Sequence, residues 1–121
     1  MEQTNGKYNR GDLLFMVRVL GLPIEVKKVK FGDDADEQVF GQYDSYLSLI
    51  ELDHGSSHLH QRVTLLHELL HVFQDYLGLD NVKHKDVYSI SQALFCLLTE
   101  NRHLVEWLME PPKEDTGTDT I

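Results

Sequence analysis

A single cysteine, Cys96, stands in a chain of 121 residues, so no internal disulfide can form. Its flank, SQALFCLLTE, reads as a helix and predicts a buried, unreactive thiol. Such sparing cysteine usage fits a reducing compartment. Long apolar runs are missing too. The start, MEQTNGKYNRGD, is polar, and the run that follows, LLFMV, is too short for a signal-peptide core or a membrane span. The expectation is a cytoplasmic protein with no membrane partner. Positive charge is scarce: 11 Lys and Arg stand against 20 Asp and Glu, for a net charge of −9. From Phe31 to Asp53 there are seven acids (Asp33, Asp34, Asp36, Glu37, Asp44, Glu51, Asp53) and no Lys or Arg. Direct binding to nucleic-acid phosphates is therefore disfavoured. The acidic stretch reads either as a solvated face or as a patch that recruits a basic partner.

Hydrophobic residues make up 41% of the chain, enough for the core of one small domain and too few residues in all for two. That domain is expected over residues 1–110. The tail 111–121, PPKEDTGTDTI, has almost nothing to bury and reads as disordered. GDLLFMVRVLG (11–21) reads as a short helix capped by Asp12 and stopped at Gly21-Leu22-Pro23, with a strand as the alternative. IEVKKVKF (24–31) reads as a strand, GDDADE as a loop, and QVFGQY and YLSLIEL as two strands joined by a tight turn near Asp44-Ser45. Two long helices follow. The first runs from about His58 to Leu77, with Gly78 as its stop. The second runs from about Asp86, its N-cap, to Met109, with Pro111-Pro112 ending it. Val87, Ile90, Leu94, Leu97 and Leu98 begin an apolar stripe along it. The expected fold is α+β: a small antiparallel β-meander packed on two long helices.

The chemistry concentrates in VTLLHELLHVFQD, Val63 to Asp75. A helix turns once in about 3.6 residues, so His67 and His71 project from one face, one turn apart. Both imidazoles can then reach a single zinc ion. Glu68 sits at the edge of that face. It can take a proton from a water on the metal without occupying a coordination position. The spacing alone does not decide between a metal site and a polar stripe; the context does. Leu65, Leu66, Leu69, Leu70, Val72 and Phe73 fill the other faces. On so apolar a helix an uncompensated glutamate beside two histidines is costly, and a cation removes the cost. Asp75 lies about 12 Å along the axis from His67, too far to share an ion, and reads as the group that orients His71 or as an exposed helix-end acid. The third ligand is expected from VKHKD, as His84 or, alternatively, Asp86; Glu100 and His103 are remoter choices. His54, His58 and His60 read as loop histidines, with His60 able at most to line a cleft rim. No residue stands out as an oxyanion stabiliser among Tyr76, Tyr88 and His103.

A short strand with YD, then YLSLIEL, then RVTLLHELLHVFQDYLG resembles the small phage and mobile-element branch of the ImmA/IrrE-like metallopeptidases. The downstream DVYSISQALFCLLTENRHLVEWL fits as well, so the resemblance covers roughly residues 24–109. It implies a minimal zincin-like domain and an intracellular zinc endopeptidase of a bacterial or phage-infected cell. His67 and His71 match the family's zinc ligands, and Glu68 its general base. The family carries a glutamate near the start of the next helix as third ligand. Here the positions read His84-Lys85-Asp86, and His84 is the nearest match. Characterised relatives act on repressor-type, DNA-binding regulators, so the implied partner is a protein or peptide substrate of that kind. Zincin-like enzymes hold a peptide along an edge strand; YLSLIEL is the candidate here. Two other readings compete: a zinc-stabilised, non-catalytic protein whose acidic face holds a basic partner, and a metal-free helical interaction module.

Overall fold

The computed structural model describes residues 11–31 and 39–111. The expected GDDADE loop and the expected disordered tail beyond Pro111 lie outside the described residues. Within them the fold is α+β. The strands are β1 (Asp12–Val19), β2 (Leu22–Val29), β3 (Gly41–Asp44) and β4 (Leu49–Asp53). The helices are α1 (His58–Leu77), α2 (His84–Glu100) and α3 (Arg102–Leu108).

The expected short helix over residues 11–21 is instead strand β1. Leu20 and Gly21 both take positive φ, 52° and 84°. Two consecutive positive φ values give the two-residue turn that matches strand twist, so the chain folds back at once. Asp12 then faces Lys28 and Val19 faces Leu22 across an antiparallel pair. Asp12 caps no helix, and Gly21-Leu22-Pro23 is a turn running into β2.

The sheet order is β1-β2-β4-β3, which corrects the expected meander. β4 inserts between β2 and β3, antiparallel to β3 and parallel to β2, with Glu25 opposite Leu49 and Val29 opposite Asp53. Alternation along a strand fixes which face a side chain takes, but not which strand lies beside it. The turn between β3 and β4 is also longer than expected. The Asp44 carboxylate accepts from the N–H groups of Tyr46 (2.9 Å) and Leu47 (3.2 Å), and Ser48 has φ 51°. Residues 45–48 therefore leave the strand, and Tyr46 is 98% exposed. β4 is not an edge strand, so YLSLIEL has no free edge along which to hold a peptide. That edge belongs to β3.

The core lies between sheet and α1: Val19, Ile24, Val26, Ile50 and Leu52 pack with Val72. Leu65, Leu69, Phe73 and Tyr76 close around them. β3 approaches α1 so closely that a Cβ at Gly41 would lie 2.6 Å from Thr64 Cγ2. α1 starts at an N-cap, Ser57, whose Oγ accepts from the His60 N–H at 3.1 Å. Gln61 donates to the carbonyls of Asp53 (3.0 Å) and Ser56 (3.0 Å), tying the preceding loop to the helix. Gly78, in the left-handed region at φ 67°, ends it.

The second helical segment departs from expectation in three ways. It begins at His84 behind Lys83, so Asp86 is no N-cap but lies in the first turn, where its charge complements the helix dipole. It breaks at Asn101 (φ −135°, ψ 69°), whose side chain donates to the Leu97 carbonyl at 2.8 Å while Thr99 donates to Phe95 O. The Asn101 side chain thus satisfies a carbonyl that a continuing helix would use. Finally, α2 buries Val87 and Ser91, whereas Ile90 and Leu97 point outward and Cys96 is exposed rather than buried. Among the described residues no helix is long and apolar enough to cross a membrane.

Candidate metal centre

α1 presents its residues to two partners at once. Gln61, Thr64, Glu68 and Val72 are its buried residues, and α2 packs beside it. His67 and His71, half-buried, project into the gap between α1 and the start of α2, where His84 meets them. The Nε2 atoms of His67 and His71 are 3.1 Å apart, and those of His67 and His84 3.3 Å. Ligand nitrogens on all three lie within 4.8 Å of one another, close enough to hold a metal ion. A tetrahedral ion with metal–nitrogen bonds of about 2.0–2.1 Å separates its ligands by about 3.3 Å, so two of the three edges are already at that length.

The donor chemistry fits a cation as well. The Gln74 amide donates to the carbonyls of Leu79 (3.2 Å) and Val82 (2.9 Å), which fixes its Nε2 outward and its Oε1 toward His71. That oxygen lies 2.6 Å from His71 Nδ1. Nδ1 must then carry the proton and donate it, which leaves the lone pair of His71 Nε2 facing the cluster. His67 resists protonation: burial, helped by His71 and His84, lowers its pKa from 6.5 to about 4. The cluster thus gathers three imidazoles whose nitrogens approach one another.

Glu68 is 9% exposed and has no hydrogen-bond partner among the described residues. Burial raises its pKa from 4.5 to about 7, with His84 pulling modestly the other way. A carboxyl poised near neutrality can accept and return a proton with little cost in either direction. Two open clefts meet beside it, of about 580 and 600 Å³, and Gly41, Glu68 and His84 line both.

Of the residues singled out in the sequence, the structure brings His67, His71 and His84 together with Glu68 beside them. Asp86, Glu100 and His103 are not in the cluster. Asp75 does not orient His71. It accepts from the Tyr43 hydroxyl at 2.9 Å, tying α1 to β3, and Gln74 takes the role given to it. Burial and this acidic neighbour push the Tyr43 hydroxyl well above its ordinary pKa. His60 lines one cleft, packed edge-on against Phe40 with ring centroids 4.2 Å apart. Gln74 escaped the sequence reading, although its place three residues after His71 puts it on the same helical face. Tyr88, one of the three residues weighed as oxyanion stabilisers, lies one turn after His84 and stands 6.1 Å from the His67 ring. Comparison with protein-family models, with curated proteins and with solved structures yields no match to this chain.

Proposed function

We propose that this chain is a zinc-dependent metallopeptidase, with His67, His71 and His84 as ligands and Glu68 as general base. The observation that carries the reading is the convergence of three imidazole nitrogens beside a buried carboxyl without a hydrogen bond among the described residues, at the junction of two clefts. Three imidazoles suit zinc, and a three-residue set keeps a position free for water or substrate. When bound, such an ion polarises a carbonyl and lowers the pKa of a coordinated water towards ~7. Glu68 then takes a proton at its carboxylate and returns it to the leaving amine. Gln74 holds His71 in the required tautomer. β3, the edge strand flanking the site, is the element along which a peptide lies. The Phe40 carbonyl accepts from Asp53 N–H at 2.9 Å, so alternation turns the main-chain groups of Gly41 and Tyr43 to the free edge. The fold would then be a minimal zincin-like domain working in the cytoplasm, and its substrates repressor-type regulators, as the sequence resemblance implies.

The second reading is a zinc-stabilised protein without catalysis. It is favoured by the third donor: His84 is exposed, and the family that the sequence resembles carries a glutamate there. Elemental analysis and turnover separate the two. Protein prepared without chelator should carry about one zinc ion per chain in the wild type and in Glu68→Gln, and His71→Ala should lose it. Peptide cleavage by the wild type that Glu68→Gln abolishes supports the peptidase. Zinc without cleavage supports the second reading, and folded wild type without zinc removes both.

A further inference from the structure

The two clefts at the metal centre differ in character. The one beside Gln42–Ser45 is lined by the carboxylates of Asp75, Asp80 and Glu68. The one beside Val39 and Phe40 is walled by those residues with Leu59, Val63 and Tyr88. No Lys or Arg lines either cleft. The Asp80 carboxylate has no hydrogen bond or ion pair among the described residues. Where they meet, Glu68 is nine-tenths buried, without a hydrogen-bond partner among the described residues, and borders both. β3 runs along this junction from the apolar end to the acidic end. A peptide added antiparallel to it, the more stable pairing, runs the opposite way. Its N-terminal half lies against the carboxylates and its C-terminal half against the apolar wall.

We propose that this groove selects a peptide with a basic side chain on the N-terminal side, and an apolar side chain on the C-terminal side, of the bond at the histidine cluster. The inference rests on the peptidase reading for the placement of the bond, and it adds the substrate class. A guanidinium or ammonium reaching Asp80 and the free oxygen of Asp75 gains charge-assisted hydrogen bonds. An apolar side chain in the other cleft leaves water for Phe40 and Val63. The chain's net charge of −9 also draws in a basic segment.

The test is binding to the zinc-loaded, full-length Glu68→Gln protein, which separates recognition from turnover. Short end-capped peptides with Arg-Leu, Glu-Leu, Arg-Glu or Leu-Arg at the centre are titrated by fluorescence polarisation. Arg-Leu should bind at least about tenfold tighter than each of the others. Adding Asp80→Lys should reverse the order of Arg-Leu and Glu-Leu while zinc content stays unchanged. Adding Leu59→Lys should favour Arg-Glu instead. Equal binding of all four, preference for Leu-Arg, or no binding at millimolar peptide overturns the proposal. Selective Arg-Leu binding with no cleavage by the zinc-loaded wild type overturns the peptidase reading and leaves the recognition in place.

Discussion

At the residue scale the site is governed by where Glu68 keeps its proton. In the metal-free chain burial raises its carboxyl from 4.5 to about 7. Between those values the folded protein binds a proton that the unfolded chain releases. The contribution to stability is therefore fully present below about 4.5 and is lost as pH rises through about 7. His67 acts in the opposite sense. Its folded pKa of about 4 lies below 6.5, so its contribution is lost as pH falls from 6.5 towards 4. Comparing the wild type with Glu68→Gln cancels the histidine and isolates the carboxyl. In chelator at pH 8.5, Glu68→Gln should be the more stable protein by up to about 3 kcal/mol, since each pKa unit is worth about 1.4 kcal/mol. At pH 4, where Glu68 is mostly neutral in both states, this gain should nearly vanish. Urea unfolding at both pH values measures it, and a difference that does not change with pH would falsify the buried, unpaired placement of Glu68.

Between elements, Gln74 is the coupling. Its two donors hold the Leu79–Val82 connection and its acceptor holds His71, so one amide sets both the His71 imidazole on α1 and the loop that delivers His84. Gln74→Leu should weaken zinc binding about 10–100-fold, as loss of a ligand's orienting partner does. Gln74→Glu keeps an acceptor for Nδ1 and should retain more of the affinity, at the expense of the loop contacts. Competition with a calibrated zinc chelator reads both variants, and unaltered affinity in Gln74→Leu contradicts the role. This is also where the sequence stops being legible. The spacing of His67, Glu68 and His71 follows from helix geometry alone, and Ser57, Gly78 and the β2 apolar positions are local signals. Gln74 and Asp75 are adjacent polar residues whose roles depend on what stands opposite them, the loop carbonyls for one and Tyr43 for the other. The sheet order was hidden for the same reason. Ile50 and Leu52 are apolar in any arrangement, and nothing in their alternation shows that β2 lies on one side and β3 on the other. The stripe on α2 misled because helical period counts apolar residues without knowing that α1 already covers the sheet. Ile90 and Leu97 were left outside, and Ser91, fully buried, donates to the Tyr88 carbonyl instead.

For the whole molecule, the distribution of burial would give an ion at the histidine cluster a structural task. The apolar core joins the sheet to α1. α2 contributes only Val87 and Ser91 as buried residues, and α3 none. His84, the first residue of α2, is where the second layer touches the histidines of the first. An ion held by all three would fasten α2 and α3 to a core that folds mostly without them. Ligand binding stabilises whatever state holds the ligand, by about 2.7 kcal/mol at a free concentration of about 100 times Kd. If the clamp acts locally, chelation should speed amide exchange about 100-fold across α2 and α3 while β2 and β4 keep their protection. His84→Ala measured in zinc should show the same pattern, because it cuts the clamp from the α2 side and leaves α1 untouched. Hydrogen exchange read by mass spectrometry resolves the two layers. Equal loss of protection in sheet and helices would mean that the ion stabilises one cooperative unit, and unchanged exchange on α2 would mean that Val87 and Ser91 hold it without help.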